Sequence, residues 1–185
     1  MIVYLAWGSL FWNPDILPIK KWIYSSLKLP LEFSRISDNG KGRLTLVIDN
    51  KYGVYNNIWY AISNINDVNK SILKLKQREK TTIDNIAYIN LKNNHRRFNN
   101  TPKIIVDNIE IWARNNNINT VIWTDLKSNW LDIMHTDYNI ENAYKYFLNS
   151  ELNVRLKILE YVYKSKNLVL ISTNFSKYFF NQLDQ

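Results

Sequence analysis

The sequence has no cysteine, and this absence excludes three kinds of chemistry. Without thiols the chain forms no disulfide, no thiolate metal site and no cysteine nucleophile. Its only two histidines, His95 and His135, are 40 positions apart and are not accompanied by a set of other metal ligands. Because a metal site needs several convergent ligands, the sequence predicts no metal and no metal-dependent cofactor.

Long apolar runs are missing as well. No run approaches the ~20 residues that a membrane-spanning helix needs. The first residues are apolar and lack the basic segment that opens a secretion signal. The chain has only four glycines and four prolines, and no linker rich in Gly, Pro or Ser divides it. We therefore expect one cytoplasmic domain over residues 1–185 that does not bind a membrane.

The net charge of +8 is spread along the chain. Its longest basic cluster is His95-Arg96-Arg97. A nucleic-acid surface would concentrate positive charge in a stripe with interleaved aromatic side chains. The sequence therefore predicts no nucleic-acid partner. A basic surface-binding protein remains an alternative, which lysines converging on one face would favour.

Four strands are predicted before residue 64. Residues 2–5 form a short apolar run typical of a buried strand, and residues 30–36 and 43–49 alternate apolar and polar side chains. Between the latter two, Asp38-Asn39-Gly40 indicates a hairpin, because Asn-Gly supplies the positive φ angles of a tight turn. Residues 54–62 are apolar on both faces, which favours a closed or strongly curved sheet. We predict an α+β fold: a small, curved, mostly antiparallel β-barrel with flanking α-helices.

A helix is predicted from Asp67 to about residue 80. Val68, Ile72 and Leu75 follow one another at helical spacing, and Glu79 is the next position of the same series. A carboxylate is therefore expected where the core-facing side chains point, with its neighbours Arg78 and Lys80 on other faces. Burial and the negative helix end would both raise the pKa of such a carboxyl group, which suits a general acid or base. The alternative is a solvated glutamate beyond the helix end.

In the second half of the chain, predicted strands and helices alternate. Strands are predicted over residues 83–91 and 119–124, helices over 101–113, 140–148 and 151–163, and polar loops over 93–100 and 125–136. The second loop has tryptophans nearby and is a candidate pocket rim. From about residue 137 the chain is predicted to be a helical extension. Its Tyr and Phe residues recur at helical spacing, which favours packing over ligand binding.

The first predicted strand leads into Trp7-Gly8-Ser9-Leu10 and then Asn13-Pro14, a turn signal. Glycine allows close approach of a ligand to the backbone, and consecutive N–H groups in such a turn can bind an anion. An ordinary strand-to-turn junction would have the same residues. A Ser-His-Asp triad from Ser9 and His135 has no support in the spacing. Gly40-Lys41-Gly42 lacks the spacing of a phosphate-binding P-loop.

Trp7-Gly8-Ser9-Leu10 resembles the Tyr-Gly-Ser-Leu loop of the γ-glutamylcyclotransferase superfamily. The resemblance continues through Leu29-Pro30-Leu31-Glu32-Phe33-Ser34-Arg35 and Gly42-Arg43-Leu44-Thr45-Leu46-Val47. It then reaches Arg78-Glu79, where that family has its catalytic glutamate, and it becomes loose after about residue 92. Trp7 stands where the family has tyrosine, so a hydroxyl function at that position is not carried over.

The resemblance implies a cofactor-free enzyme that releases 5-oxoproline from a small γ-glutamyl peptide or amine. It implies Glu79 as the catalytic acid and base, and Trp7, Gly8, Ser9 and Leu10 as a substrate-binding loop. Two further substrate contacts, Arg35 and Tyr88, are expected by the same resemblance. The alternative is a non-catalytic binding module for a small molecule or anion on the same fold, since fold does not imply function.

Overall fold

The computed structural model describes residues 1–183. They form an α+β fold with seven strands in a mostly antiparallel sheet and, over those residues, seven α-helices. The strands are β1 (Ile2–Ala6), β2 (Ile19–Ser37), β3 (Arg43–Ile48), β4 (Val54–Ser63), β5 (Ile86–Asn90), β6 (His95–Arg97) and β7 (Thr120–Thr124). The helices are α1 (Ser9–Trp12), α2 (Val68–Glu79), α3 (Lys103–Asn115), α4 (Trp130–Met134), α5 (Ile140–Asn149), α6 (Leu152–Asn167) and α7 (Asn174–Leu183). The predicted α+β class is confirmed.

The sheet is open at both ends. Its strand order is β3-β2-β4-β1-β7-β5-β6. Strands β1 and β7 run parallel, whereas β1–β4, β2–β3, β5–β6 and β5–β7 are antiparallel pairs. A barrel would require the edge strands β3 and β6 to pair with each other. The mostly antiparallel sheet is therefore confirmed, and the barrel is not.

The described chain forms two compact units. Unit 1 comprises residues 1–28 and 57–126, and unit 2 comprises residues 29–56 and 127–183. The prediction of a single domain with a helical extension from about residue 137 stays a prediction.

Unit 1 has its core where α2 packs on the sheet. Asp67 caps the helix by accepting a hydrogen bond from the Lys70 amide (2.9 Å). Ile72 and Leu75 are buried against Tyr4 of β1, in one cluster with residues of β5 and β7. The apolar series predicted from the sequence therefore does face the core, as expected for an amphipathic helix.

Several local predictions need correction, including the polar loop over 125–136, which contains α4 (Trp130–Met134). Strand β2 is 19 residues long and includes the stretch around Trp22, which the sequence separated from the strand at 30–36. The hairpin after it is present, but its positive φ angles fall at Lys41 (53°) and Gly42 (90°), not at Asn39 and Gly40. The polar loop predicted over 93–100 contains β6, whose three residues pair with β5. Such a short edge strand has no apolar alternation to reveal it.

Unit 2 packs its helices on the end of β2 and on β3. Phe33 of β2 is fully buried and contacts the rings of Tyr161 in α6 (5.9 Å between centroids) and Phe175 in α7 (5.5 Å). Phe179 continues this aromatic core (5.6 Å from Phe175). The aromatic residues of the C-terminal helices thus serve packing, as the sequence predicted.

Candidate functional site

Strand β1 leads directly into the predicted substrate loop. Gly8 lies two residues after the strand and is the N-cap of α1, a helix of one turn (four residues), and its carbonyl oxygen accepts a hydrogen bond from the Phe11 amide (2.9 Å). Gly8 has a φ of −152°, so the position does not need glycine for a left-handed backbone. The residue is buried.

The side chains beside Gly8 differ in their surroundings. Trp7 is only 7 % exposed, and Leu10 lies in the unit 1 core with Ile72 and Leu75. Ser9, in contrast, is partly exposed. Trp7 and Leu10 therefore hold the loop on the core, and contact with a ligand at Leu10 would involve its backbone.

Arg78 joins this loop to Glu79. Its Nη1 donates to Glu79 Oε1 at 2.6 Å, and both Nη atoms lie 3.5 Å from Ser9 Oγ. The same guanidinium donates from Nε to the Asn13 carbonyl oxygen (3.1 Å) and from Nη2 to that oxygen as well. One planar cation thus connects both ends of α1 with the carboxylate, the geometry for which arginine suits better than lysine.

Glu79 is the last residue of α2. Lys80 follows in the left-handed conformation (φ 50°) and ends the helix. The Glu79 side chain is 18 % exposed and that of Arg78 is 8 % exposed. The expectation that Arg78 points to another face is therefore wrong: the long guanidinium side chain folds back onto its neighbour. The alternative of a solvated glutamate beyond the helix end is also wrong.

Tyr88, in strand β5, packs against core residues and an arginine side chain. It is partly buried, packs against the unit 1 core and pairs with Ile122 of β7. The Arg97 guanidinium lies over its ring, 5.5 Å from the centroid, and donates to the Ile86 carbonyl oxygen. A cation over an aromatic face is a stabilising contact, so Tyr88 supports strand β6.

Arg35 belongs to unit 2, whereas the other predicted site residues belong to unit 1. Its Nη1 donates to the Lys127 carbonyl oxygen at 2.9 Å. The neighbouring Ile36 amide and carbonyl bond to the Asn129 side chain (2.8 and 2.9 Å). Arg35 thus fixes the segment before α4 to strand β2.

Asp125 is a buried polar residue that the sequence placed only in a loop. Its carboxylate accepts from the amides of Asn99 (2.6 Å), Asn100 (2.9 Å) and Thr101 (2.7 Å), and from the Thr101 hydroxyl (2.5 Å). It therefore holds the chain between β6 and α3. The signal in the sequence was a lone Asp directly after a buried strand, where no apolar pattern explains it.

Glu32 is the second buried carboxyl group that sequence analysis did not single out as functional. It is fully buried in unit 2, where it accepts from the amides of Phe33 (2.9 Å), Asn174 (3.1 Å) and Phe175 (3.4 Å). It therefore bonds to the start of α7. Burial raises the pKa of Glu32 from its ordinary 4.5 to about 7, against the opposing effect of these amides.

This shift predicts a pH dependence of stability. The unfolded chain loses the Glu32 proton near pH 4.5, but the folded chain keeps it up to about pH 7. The stability contribution is therefore complete below 4.5 and is lost as the pH rises to about 7, by up to about 3 kcal/mol. In denaturant titrations from pH 4 to 8, the parent should lose this amount relative to Glu32→Gln. Parallel curves for the two proteins would contradict the shift, and Glu160→Gln, at an exposed site, is the control.

No group of three or more His, Cys, Asp or Glu side chains among residues 1–183 is arranged to hold a metal ion. No helix within this range is both long and apolar enough to cross a membrane.

Comparison with protein-family models, curated proteins and solved structures finds no match to this chain. A functional assignment therefore depends on the geometry around Arg78 and on the resemblance of the sequence motifs.

Proposed function

We propose that the protein is a γ-glutamylcyclotransferase-like enzyme that releases 5-oxoproline from a γ-glutamyl peptide or amine. One observation carries the proposal: the Arg78 guanidinium bonds to Glu79 and contacts Ser9, so the two motifs of the resemblance meet at one cation. These motifs are separated by 69 positions in the sequence. The proposal includes the fold of that family, a cytoplasmic location and no cofactor.

In the proposed reaction, the α-amine of the substrate attacks its own γ-carbonyl carbon. A carbon–nitrogen bond forms and closes the five-membered ring, and the original amide bond to the leaving amine breaks. Glu79 takes a proton from the attacking amine and returns it to the leaving nitrogen, so no co-reactant is consumed. Intramolecular attack is favoured strongly once the substrate is held in its folded conformation.

The loop supplies the remaining parts of the proposed mechanism. The backbone amides of Gly8, Ser9 and Leu10 lie at the start of α1. We assign to them the developing oxyanion or the substrate α-carboxylate. Trp7 forms part of the pocket wall, and Arg78 orients the Glu79 carboxylate by its bond to Oε1. Tyr88 remains a proposed substrate contact, and Arg35 stays a prediction of the resemblance.

The test is a turnover assay on a panel of substrates. The protein is incubated with γ-glutamyl dipeptides, glutathione and γ-glutamyl amines, and 5-oxoproline is detected by chromatography. We expect release from at least one class, with an equal amount of the freed amine. No 5-oxoproline from any member of the panel would contradict the enzymatic proposal.

A non-catalytic binding module is the second proposal, and the short Arg78–Glu79 ion pair favours it, because this contact engages the carboxylate before any substrate arrives. This proposal predicts calorimetric binding of a γ-glutamyl compound or of 5-oxoproline without turnover.

A further inference from the structure

Helix α6 of unit 2 exposes a row of large apolar side chains. Its buried face, which includes Ile158, Tyr161 and Val162, packs on the unit 2 core. Four other side chains of the helix are between 37 % and 64 % exposed: Leu152, Leu156, Leu159 and Tyr163. A surface helix normally presents polar residues to water, so this second apolar face indicates a binding surface.

The four exposed side chains lie on one side of the helix. They are spaced four, three and four residues apart. At 3.6 residues per turn they fall within about 60° around the helix axis and extend for about 17 Å along it. Single exposed apolar residues are common on protein surfaces, whereas a contiguous group of them marks an interaction site.

Basic side chains lie on both sides of the apolar row. At helical spacing, Arg155 and Lys166 follow one edge, and Lys157 and Lys164 lie beyond the other. The one acidic residue of the helix, Glu160, is paired with Lys164. Helix α6 therefore has a clear excess of positive charge beside its exposed leucines.

This combination of residues fits an anionic lipid surface. Helices that lie in a membrane interface place leucine and aromatic side chains next to the lipid chains and carry lysine and arginine at the level of the headgroups. The long aliphatic part of a lysine or arginine side chain allows the charge to reach the headgroups from either edge of a buried row. A second copy of this chain fits less well, because two helices with the same excess of positive charge repel each other.

We propose that α6 docks the protein on the anionic headgroup surface of a lipid bilayer. The helix lies parallel to the surface, and Leu152, Leu156 and Leu159 enter the layer between the headgroups and the lipid chains. The basic side chains contact lipid phosphates, and Tyr163 lies at the boundary with water, where tyrosine is favoured. The residues assigned to turnover lie outside α6, so the proposal is independent of the proposed function.

The sequence did not reveal this surface. The apolar residues of α6 recur at helical spacing on two faces, and only the fold shows which of the two is covered. The expectation that the chain does not bind a membrane rested on the lack of a long apolar run in the sequence. Docking through one face of a helix does not require such a run.

Co-sedimentation with lipid vesicles tests this proposal on the full chain. Vesicles of phosphatidylcholine are compared with vesicles of an equal mixture of phosphatidylcholine and phosphatidylserine. We expect at least roughly tenfold stronger partition onto the mixed vesicles, because each basic residue near an anionic surface adds to the attraction. Raising the salt from about 0.1 M to about 1 M should weaken this partition, since it shortens the screening length. No binding to the mixed vesicles, or equal binding to both kinds, would overturn the proposal.

The variant Leu156→Gln removes one leucine of the row and keeps a good helix former. We expect it to weaken partition onto the mixed vesicles roughly tenfold or more, the usual effect of burying one leucine side chain. Leu73→Gln, at an exposed leucine of α2, is the matched control and should leave partition unchanged. Melting temperatures verify that both variants fold, and the comparison of lipid compositions needs no variant. Partition of Leu156→Gln equal to that of the parent would exclude α6 as the docking surface.

Analytical ultracentrifugation without lipid tests the other occupant. We expect the parent protein to sediment as a monomer, with the apolar row accessible to lipid. A dimer of the parent that becomes a monomer in Leu156→Gln would show that a second copy of the chain covers the row, and the membrane proposal would be wrong.

Discussion

The variant Glu79→Gln is expected to lower the rate of 5-oxoproline formation by ~10²–10⁴-fold, the range typical of a positioned general acid or base. The amide has nearly the shape of the carboxylate and can still accept from Arg78, but it does not take a proton from the substrate amine. The rate is measured under saturating γ-glutamyl substrate, together with the melting temperature of both proteins. Loss of rate without loss of fold is the result that supports the assignment.

The ion pair between Arg78 and Glu79 changes the stability expected for Glu79→Gln. An unpaired buried carboxylate would make Glu79→Gln stabilising, since ionised groups are costly to desolvate. Glu79 is bonded to Arg78 at 2.6 Å, so we expect a small decrease in melting temperature instead. Glu160→Gln, which alters an exposed ion pair with Lys164, serves as the control and should change neither quantity appreciably. Full turnover in Glu79→Gln would end the general-base assignment.

The variant Asp125→Ala is expected to destabilise the protein by about 3–5 kcal/mol. It removes the acceptor of three backbone amides and of the Thr101 hydroxyl, and each buried donor left unsatisfied costs ≈1–3 kcal/mol. For a protein of this size, such a loss lowers the melting temperature by about 10 °C or more. Differential scanning calorimetry of parent and variant gives this value directly.

The control for Asp125→Ala is Asp107→Ala. Asp107 is partly exposed and pairs with Lys103 one helical turn away (2.8 Å). Such surface pairs contribute little, so the control should shift stability by at most ~0.5 kcal/mol. If both substitutions had the same small effect, the Asp125 network would not be what holds residues 99–101.

Helix α2 of unit 1 shows which structural features a local sequence pattern can predict. The cap at Asp67 and the apolar series Val68, Ile72 and Leu75 predicted both the span of α2 and its buried face. These features depend on contacts within one helical turn and on the 3.6-residue period, both of which the sequence carries explicitly. Glu79 was placed correctly at the end of that helix for the same reason.

The partners of polar side chains were not predictable in this way. Arg78 was expected on another face, yet its flexible side chain reaches Glu79, Ser9 and Asn13. Asp125 finds its donors 24–26 positions earlier in the chain, and Glu32 finds two of its donors more than 140 positions later. Hydrogen bonds of this kind follow from which segments the fold brings together, and no periodicity in the sequence encodes them.

The sequence by itself determined the α+β class, the mostly antiparallel character of the sheet and the helix that ends at Glu79, because apolar periodicity and turn residues act locally. The tertiary structure decided that the sheet stays open and that Arg78 connects Ser9 of the loop with Glu79. These features arise from packing between segments distant in sequence, where side-chain length, burial and available partners are set only once the chain has folded.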